Sequence, residues 1–327
     1  MHNNFLIAVD SGKSYTKAVM KEDSIHNIQF QTKVEEVNNN GAELTPGSYT
    51  VEFGGKSYIV GNMLDESKMD FALSKKSDAH RICIYLAIAQ LLQKSKLNTV
   101  LSNIALAVNI PVGLYKNEKQ KTEVNDFIRN NGETVSIIIN KKPFLFRIET
   151  LYLLPEGIGA VYSDLNYFRQ RRVLIFDIGS LNVNIQEFNK LIPSYDKMIT
   201  ADLGVNILRS KIADKLSTRY GTTISDADVE AIHRDKYLIM NGEKMEDSKK
   251  IIEQLMENHV KEIFNFARSR KVSFANTEVH LIGGGALLLK EHLIKEYPAA
   301  APISINAQNS NVLSFLTILE AKHHGQS

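Results

Sequence analysis

Residues 5–20, FLIAVDSGKSYTKAVM, decide how this chain of 327 residues is read. An apolar, β-rich run ends in Asp10, a Ser-Gly-Lys-Ser turn follows, and alternating residues resume as a second strand. The same plan returns at 173–188, VLIFDIGSLNVNIQEF. There Asp177 stands for Asp10, Gly179 for Gly12 and Asn184 for Lys17. Two distant copies of one device predict two related domains, each opening with its own hairpin. Length agrees, because a single core stops growing beyond roughly 250–300 residues.

Composition narrows the class without deciding the function. The chain is 43% hydrophobic and 23% charged with seven prolines, ordinary for a globular α/β protein. A net charge of +2 provides no broad basic field, which argues against a dedicated nucleic-acid binder. The single cysteine, Cys83, cannot form an internal disulfide and lies in an apolar helical run, where it reads as a small buried hydrophobe. The start, MHNNFLIAVDSGK, lacks a basic flank and a cleavage site, so it reads as a strand. No run approaches the ~18 apolar residues of a membrane span. The expectation is a soluble cytoplasmic protein with no membrane association.

Working outward, SYTVEFGGKSYIVG (48–61) reads as a hairpin turning at Gly54-Gly55. SDAHRICIYLAIAQLLQKS (77–95) has helical spacing with Ser77 or Asp78 as N-cap. NIALAVNIP is a buried strand, and EKQKTEVNDFIRNNG an amphipathic helix stopped at Gly132. Residues 31–48, with an Asn run and Pro46-Gly47, read as loop. In the second half, 204–221 and 248–270 read as helices, and TEVHLIGGGALLLKEHL runs from strand through glycine turn to helix.

Four stretches can carry chemistry. In the first hairpin the backbone of Ser11, Gly12, Lys13 and Ser14 can form a nest for an anion, with Lys17 adding charge from the next strand. Asp10 would repel a bare phosphate but suits the hydrated Mg2+ that accompanies one. The second hairpin keeps Asp177 and Gly179 and offers Ser180, Leu181 and Asn182 in its turn. Each hairpin alone also fits an ordinary turn with a solvated acid. LLPEGIGA (153–160) places Glu156 at the start of a helix of small residues. There it either orients a water or complements the helix dipole. The glycines Gly283, Gly284 and Gly285 allow a base or ribose to approach the backbone, and also fit a plain tight turn.

Taken in order, these four elements resemble the phosphate-1, connect-1, phosphate-2 and adenosine motifs of the actin, Hsp70 and sugar-kinase superfamily. LGVNILRSKIADKL, AIHRDKYL, VHLIGGGALLL and NAQNSNVLSFLTILEA look most like the ParM-type bacterial actins of plasmid partition. The resemblance implies an actin-like α/β fold of two related, ribonuclease H-like domains around a central nucleotide cleft. It implies domain I over 1–165, with a helix at about 306–327 returning to it, and domain II over 166–305. It implies that Asp10 and Asp177 hold Mg2+ through water and that Glu156 positions the hydrolytic water. The turn around Gly12, Lys17, Gly179, Ser180 and Asn182 would then bind phosphate. Gly204 and Asp214 would serve the nucleotide from the following helix, Asp214 reaching the ribose, with Gly283, Gly284 and Gly285 behind the adenosine.

The cofactors so implied are ATP or GTP with Mg2+. The activity implied is nucleotide hydrolysis coupled to self-assembly into a filament that segregates plasmid DNA. A DNA-binding adaptor on a centromere-like site would be the partner, with no direct nucleic-acid contact. Two alternatives stay open: a sugar or acid kinase of the same fold, and a nucleotide-sensing binder without significant hydrolysis. The departure that matters is Asn184, which cannot bring negative charge to the metal shell where the family has an acid.

Overall fold

The computed structural model describes residues 4–38, 43–70, 75–97, 99–300 and 309–324. The chain divides into two compact units, Met1–Asp164 with Asn309–Ser327, and Leu165–Gln308. In the first, β1 (Asn4–Ser11), β2 (Tyr15–Lys21) and β3 (Ile25–Gln31) form an antiparallel meander. Strand β4 (Val34–Val37) and the hairpin of β5 (Ser48–Phe53) and β6 (Lys56–Gly61) follow. Helix α1 (Asp78–Lys94) leads to β7 (Ser102–Ile110), α2 (Val112–Tyr115) and α3 (Glu118–Ile128). Strands β8 (Val135–Ile139) and β9 (Lys142–Pro155) complete a nine-stranded sheet ordered β3-β2-β1-β7-β9-β8-β5-β6-β4. Strand β7 runs parallel to β1 and β9, and the remaining pairs are antiparallel.

Helix α1 shows why this sheet folds around it. Eleven of its residues are buried, from His80 to Leu92, so it is apolar nearly all round, as a helix inside a core must be. Its N-terminus is capped by Ser77, whose hydroxyl accepts from the His80 N–H. It packs on β1, β2 and β3.

The second unit opens with α4 (Leu165–Phe168), then β10 (Arg172–Ile178), β11 (Val183–Asn189), β12 (Ile192–Pro193) and β13 (Ile199–Ala201). Helices α5 (Val205–Tyr220) and α6 (Asp226–Asp235) precede the small hairpin of β14 (Leu238–Met240) and β15 (Glu243–Met245). The long α7 (Glu246–Ser269), β16 (Glu278–Ile282), α8 (Gly284–Leu288) and α9 (Lys290–Glu296) follow. The sheet is ordered β12-β11-β10-β16, with β13 also on β11. Helix α7 buries Ile252, Met256, Val260, Ile263, Phe264 and Ala267, a single stripe at helical spacing that meets α5 over the core. Helix α5 stops at Gly221, which takes the left-handed conformation a C-terminal cap needs. The chain then returns to the first unit as α10 (Ser310–His324), which lies on β1, β2, β7 and a 3-10 helix over Gly159–Ser163. Val312, Phe315, Leu316 and Leu319 are buried there, each contributing about 2 kcal/mol.

The two opening hairpins are built alike. Strand β1 pairs antiparallel with β2 and parallel with β7; β10 pairs antiparallel with β11 and parallel with β16. Asp10 faces Lys17 across the first hairpin, and Asp177 faces Asn184 across the second, which is the correspondence read from the sequence.

Four local expectations need correction. Glu156 does not begin a helix: Gly157 has φ +77°, and the 3-10 helix starts only at Gly159. The stretch 31–48 is not all loop, since Val34–Val37 pairs with β6; residues 39–42 lie outside those described. Helix α3 ends at Ile128, before Asn130 and Asn131 turn to positive φ and a 3-10 turn carries the chain to Gly132. The C-terminal helix spans Ser310–His324; of the expected 306–327, residues 306–308 and 325–327 lie outside those described.

Candidate functional site

In the first unit, the turn between β1 and β2 is closed by sterics. A Cβ on Gly12 would meet the Tyr15 carbonyl oxygen at 2.6 Å, so only glycine lets this turn fold back so tightly. Asn109, buried in the neighbouring parallel strand, fixes the strand end from both sides. Its Oδ1 accepts from the Ser11 N–H at 2.9 Å, and its Nδ2 donates to Asp10 Oδ1 at 2.8 Å. Burial pushes the Asp10 carboxyl above its ordinary pKa, opposed first by Lys17 and then by Lys75. On the same side of the unit, Lys75 Nζ meets Glu156 Oε1 at 2.7 Å, with both side chains nearly buried. Burial, aided by Lys75, pulls Lys13 down to about 8. The rim is completed by Asp70, which accepts from Ser77 and lies 3.2 Å from His80 Nδ1. Burial keeps His80 neutral, with its pKa lowered to about 4.

The second unit binds its turn differently. The carbonyls of Gly179, Ser180 and Leu181 accept from the N–H groups of Val205, Asn206 and Gly204, so the loop is stitched to the start of α5. A Cβ on Gly204 would meet Leu181 C at 2.2 Å and Ser180 O at 2.3 Å. Gly283, at φ +89°, presses against the other side of the hairpin, where a Cβ would meet Ile178 O at 2.5 Å and Asp177 Oδ1 at 2.7 Å. A Cβ on Gly285 would meet Ile178 Cγ2 at 2.5 Å and Val205 Cγ1 at 2.8 Å, whereas nothing stands within 4 Å of a Cβ on Gly284. The glycine turn and the second hairpin are therefore one packed assembly, with Gly284 on its open side. Asn184 is buried and accepts from Thr200 Oγ1 at 2.8 Å, a neutral pair.

The structure thus brings Asp10, Ser11, Gly12, Lys13, Ser14 and Lys17 onto one hairpin, within electrostatic reach of Glu156. It brings Asp177, Gly179, Ser180, Asn182, Gly204, Gly283 and Gly285 together in the other unit. Asp214 is not part of that cluster: it is exposed on α5, nine residues and ~13 Å of helix rise beyond Val205. Asn109, Lys75 and Thr200 are the partners that sequence reasoning missed. The one available signal for Asn109 is a polar residue at the end of the apolar run IALAV. Cys83 is fully buried, with its thiol pushed up to about 12, and His280 packs against Tyr167 and Phe168. Both are packing residues.

Two α/β units, each containing an Asp-tipped hairpin beside a parallel strand, define an actin-like fold. Solved structures agree. A 15-stranded ParM filament from Clostridium botulinum aligns at 19% identity with TM-score 0.76, covering 98% of this chain and 99% of that one. The Alp12 filament structure aligns at 22% identity with TM-score 0.70, covering 98% and 99%. The archaeal actin homologue Ta0583, in complex with ADP, aligns at 16% identity with TM-score 0.72, covering 97% and 99%. No curated protein matches the sequence. The chain has an actin-like fold, and two family models match separate stretches of it. Residues 8–159 match the family described as actin like proteins, N-terminal domain, and residues 175–295 match archaeal actin homologue MreB-like, C-terminal. Among the described residues no helix is long and apolar enough to cross a membrane.

Proposed function

We propose that this chain is a cytoskeletal actin homologue that binds Mg2+ with ATP or GTP, assembles into filaments and hydrolyses the nucleotide. The observation that carries this reading is the equivalence of the two hairpins, Asp10 opposite Lys17 and Asp177 opposite Asn184. The close packing at Gly12 and Gly283 fixes the two turns, and Gly284, with nothing within 4 Å of a Cβ, leaves its backbone open to a nucleoside group. Asp10 and Asp177 each bring one carboxylate, and among the described residues no group of three or more His, Cys, Asp or Glu gathers. Each carboxylate, in its own unit, is the hard oxygen donor that a hydrated Mg2+ takes through water. The bound ion would neutralise phosphate charge, which is the main demand of phosphoryl transfer.

The chain's own residues would do the rest. The Gly12 turn and the stitched Gly179–Asn182 turn offer backbone N–H groups to phosphate, and Lys13 and Lys17 add charge. Glu156 orients the attacking water as the bond to the terminal phosphorus breaks. That neighbouring filaments share the fold, and that the archaeal homologue was solved with ADP, supports assembly and nucleotide use. Plasmid segregation follows if the filament engages a DNA-binding adaptor on a centromere-like site, which a net charge of +2 favours over direct DNA contact. A nucleotide sensor with little turnover is the second reading, favoured by the neutral Asn184–Thr200 pair.

Right-angle light scattering after addition of ATP or GTP with Mg2+, with phosphate release followed in parallel, tests the proposal. Nucleotide-dependent scattering followed by phosphate release is expected. Scattering alone selects the sensor. Phosphorylation of a sugar or acid without any nucleotide-dependent scattering overturns the filament reading in favour of a kinase.

A further inference from the structure

Lys75, ion-paired with Glu156, is a buried charge of the first half-site to which the proposed chemistry gives no role. Lys75 is 6% exposed and Glu156 12%, so the pair is nearly out of water. A buried ion pair adds little stability over an apolar pair of the same shape, so stability alone does not account for it. Lys75 also sits at φ +50°, a left-handed backbone that non-glycine residues seldom adopt and that concentrates at functional positions. From there its ammonium reaches the fields of Asp10, Lys13 and His80 as well as Glu156.

The charges around it describe what is missing. Lys17 and Lys75 both act on the Asp10 carboxyl, and Lys13, depressed first by burial and next by Lys75, lies within reach of Asp70 and Glu156. Cations packed closely enough to oppose each other's charge make a site suited to an added polyanion. A lysine ammonium carries three donors, of which Glu156 Oε1 takes one.

We propose that Lys75 is a ligand for the terminal phosphate of a nucleoside triphosphate, and that it rests on Glu156 when that phosphate is absent. The assignment rests on the nucleotide site proposed above and adds a function to it. With a diphosphate, or with none, Lys75 occupies the Glu156 carboxylate that must hold the water. A terminal phosphate draws the ammonium toward itself and frees that oxygen. Discrimination between triphosphate and diphosphate then sits in one buried lysine, and the water-orienting group is released only when there is a bond to cleave.

Calorimetric titration of the full chain, with Mg2+ and either a non-hydrolysable triphosphate analogue or the diphosphate, tests this. Lys75→Met is expected to weaken triphosphate binding about 10- to 100-fold, the range for a hydrogen bond to a charged group, while diphosphate binding changes less than about twofold. Lys75→Arg is expected to recover part of the loss. Glu156→Gln separates the phosphate contact from the structural pair, because it removes the ion pair and keeps Lys75. It should retain or increase the preference for triphosphate, with far-ultraviolet circular dichroism confirming that all three variants fold. Equal losses for both nucleotides in Lys75→Met overturn the assignment. So does a Glu156→Gln variant that loses the preference as Lys75→Met does. A parent chain that binds neither nucleotide overturns the site and the assignment together.

Discussion

The two hairpins share a backbone plan and differ in chemistry. Around the first, Asp10 meets Asn109, Lys17, Lys75 and Glu156 through a dense set of ionised and buried groups. Around the second, Asp177 faces a neutral Asn184 held by Thr200, and the turn is fixed by three backbone bonds to the start of α5. One copy of the device keeps the charges, and the other keeps the shape. Backbone N–H groups suffice to hold a phosphate, whereas moving a proton or orienting a water needs side chains. Under the proposed function, hydrolytic chemistry would fall to the first unit and nucleotide anchoring to the second.

The sharpest way to break this comparison is to damage the shape of the second hairpin. Gly204→Ala forces a Cβ into the Leu181 and Ser180 backbone, and a cost of about 2–3 kcal/mol is expected. Gly284→Ala, where nothing stands within 4 Å, should cost far less. Chemical denaturation of the two variants checks the contrast, and equal losses would mean that the stitched turn is not constrained as described.

Restoring charge is the next test. Asn184→Asp keeps the Thr200 bond and adds a carboxylate opposite Asp177, so Mg2+-dependent phosphate release should rise about tenfold, equivalent to ~1.4 kcal/mol. An unchanged rate would show that the missing acid does not limit turnover.

A third effect is on pH dependence, and it is shared by both units. Burial lowers His80 in the first unit and His233 in the second to about 4. Their unfolded forms titrate near ~6.5, so between those values the unfolded chain binds more protons. Stability should fall as pH drops through that window and stay unaffected by these groups above it. A melting series from pH 7 to pH 4 should show a loss of several degrees. His80→Gln and His233→Gln should each flatten the slope, and a slope that neither variant changes would contradict the assignment.

Sequence alone revealed the hairpins because alternation, a terminal acid and a glycine are local signals. The register of Asp10 with Lys17 and of Asp177 with Asn184 follows from turns of matching length. What it missed depends on distant partners or on a single torsion. Glu156 looked like a helix start because Pro155 and small residues surround it, yet the positive φ of Gly157 holds the chain out of a helix. Asn109 is a polar residue near the end of a largely apolar strand, and its meaning appears only when β7 lies beside β1. Lys75 belongs to an unremarkable Lys-Lys pair until folding sets it on Glu156. Strand β4 was hidden by its acidic Val-Glu-Glu-Val sequence, which suits a sheet edge and reads as loop.

The most direct test of the division of labour is phosphate release by Glu156→Gln at saturating nucleotide and Mg2+, with assembly followed by light scattering in the same sample. If the first unit carries the water-orienting group, assembly persists and phosphate release falls about 10²- to 10⁴-fold. Release at the parental rate would contradict the account.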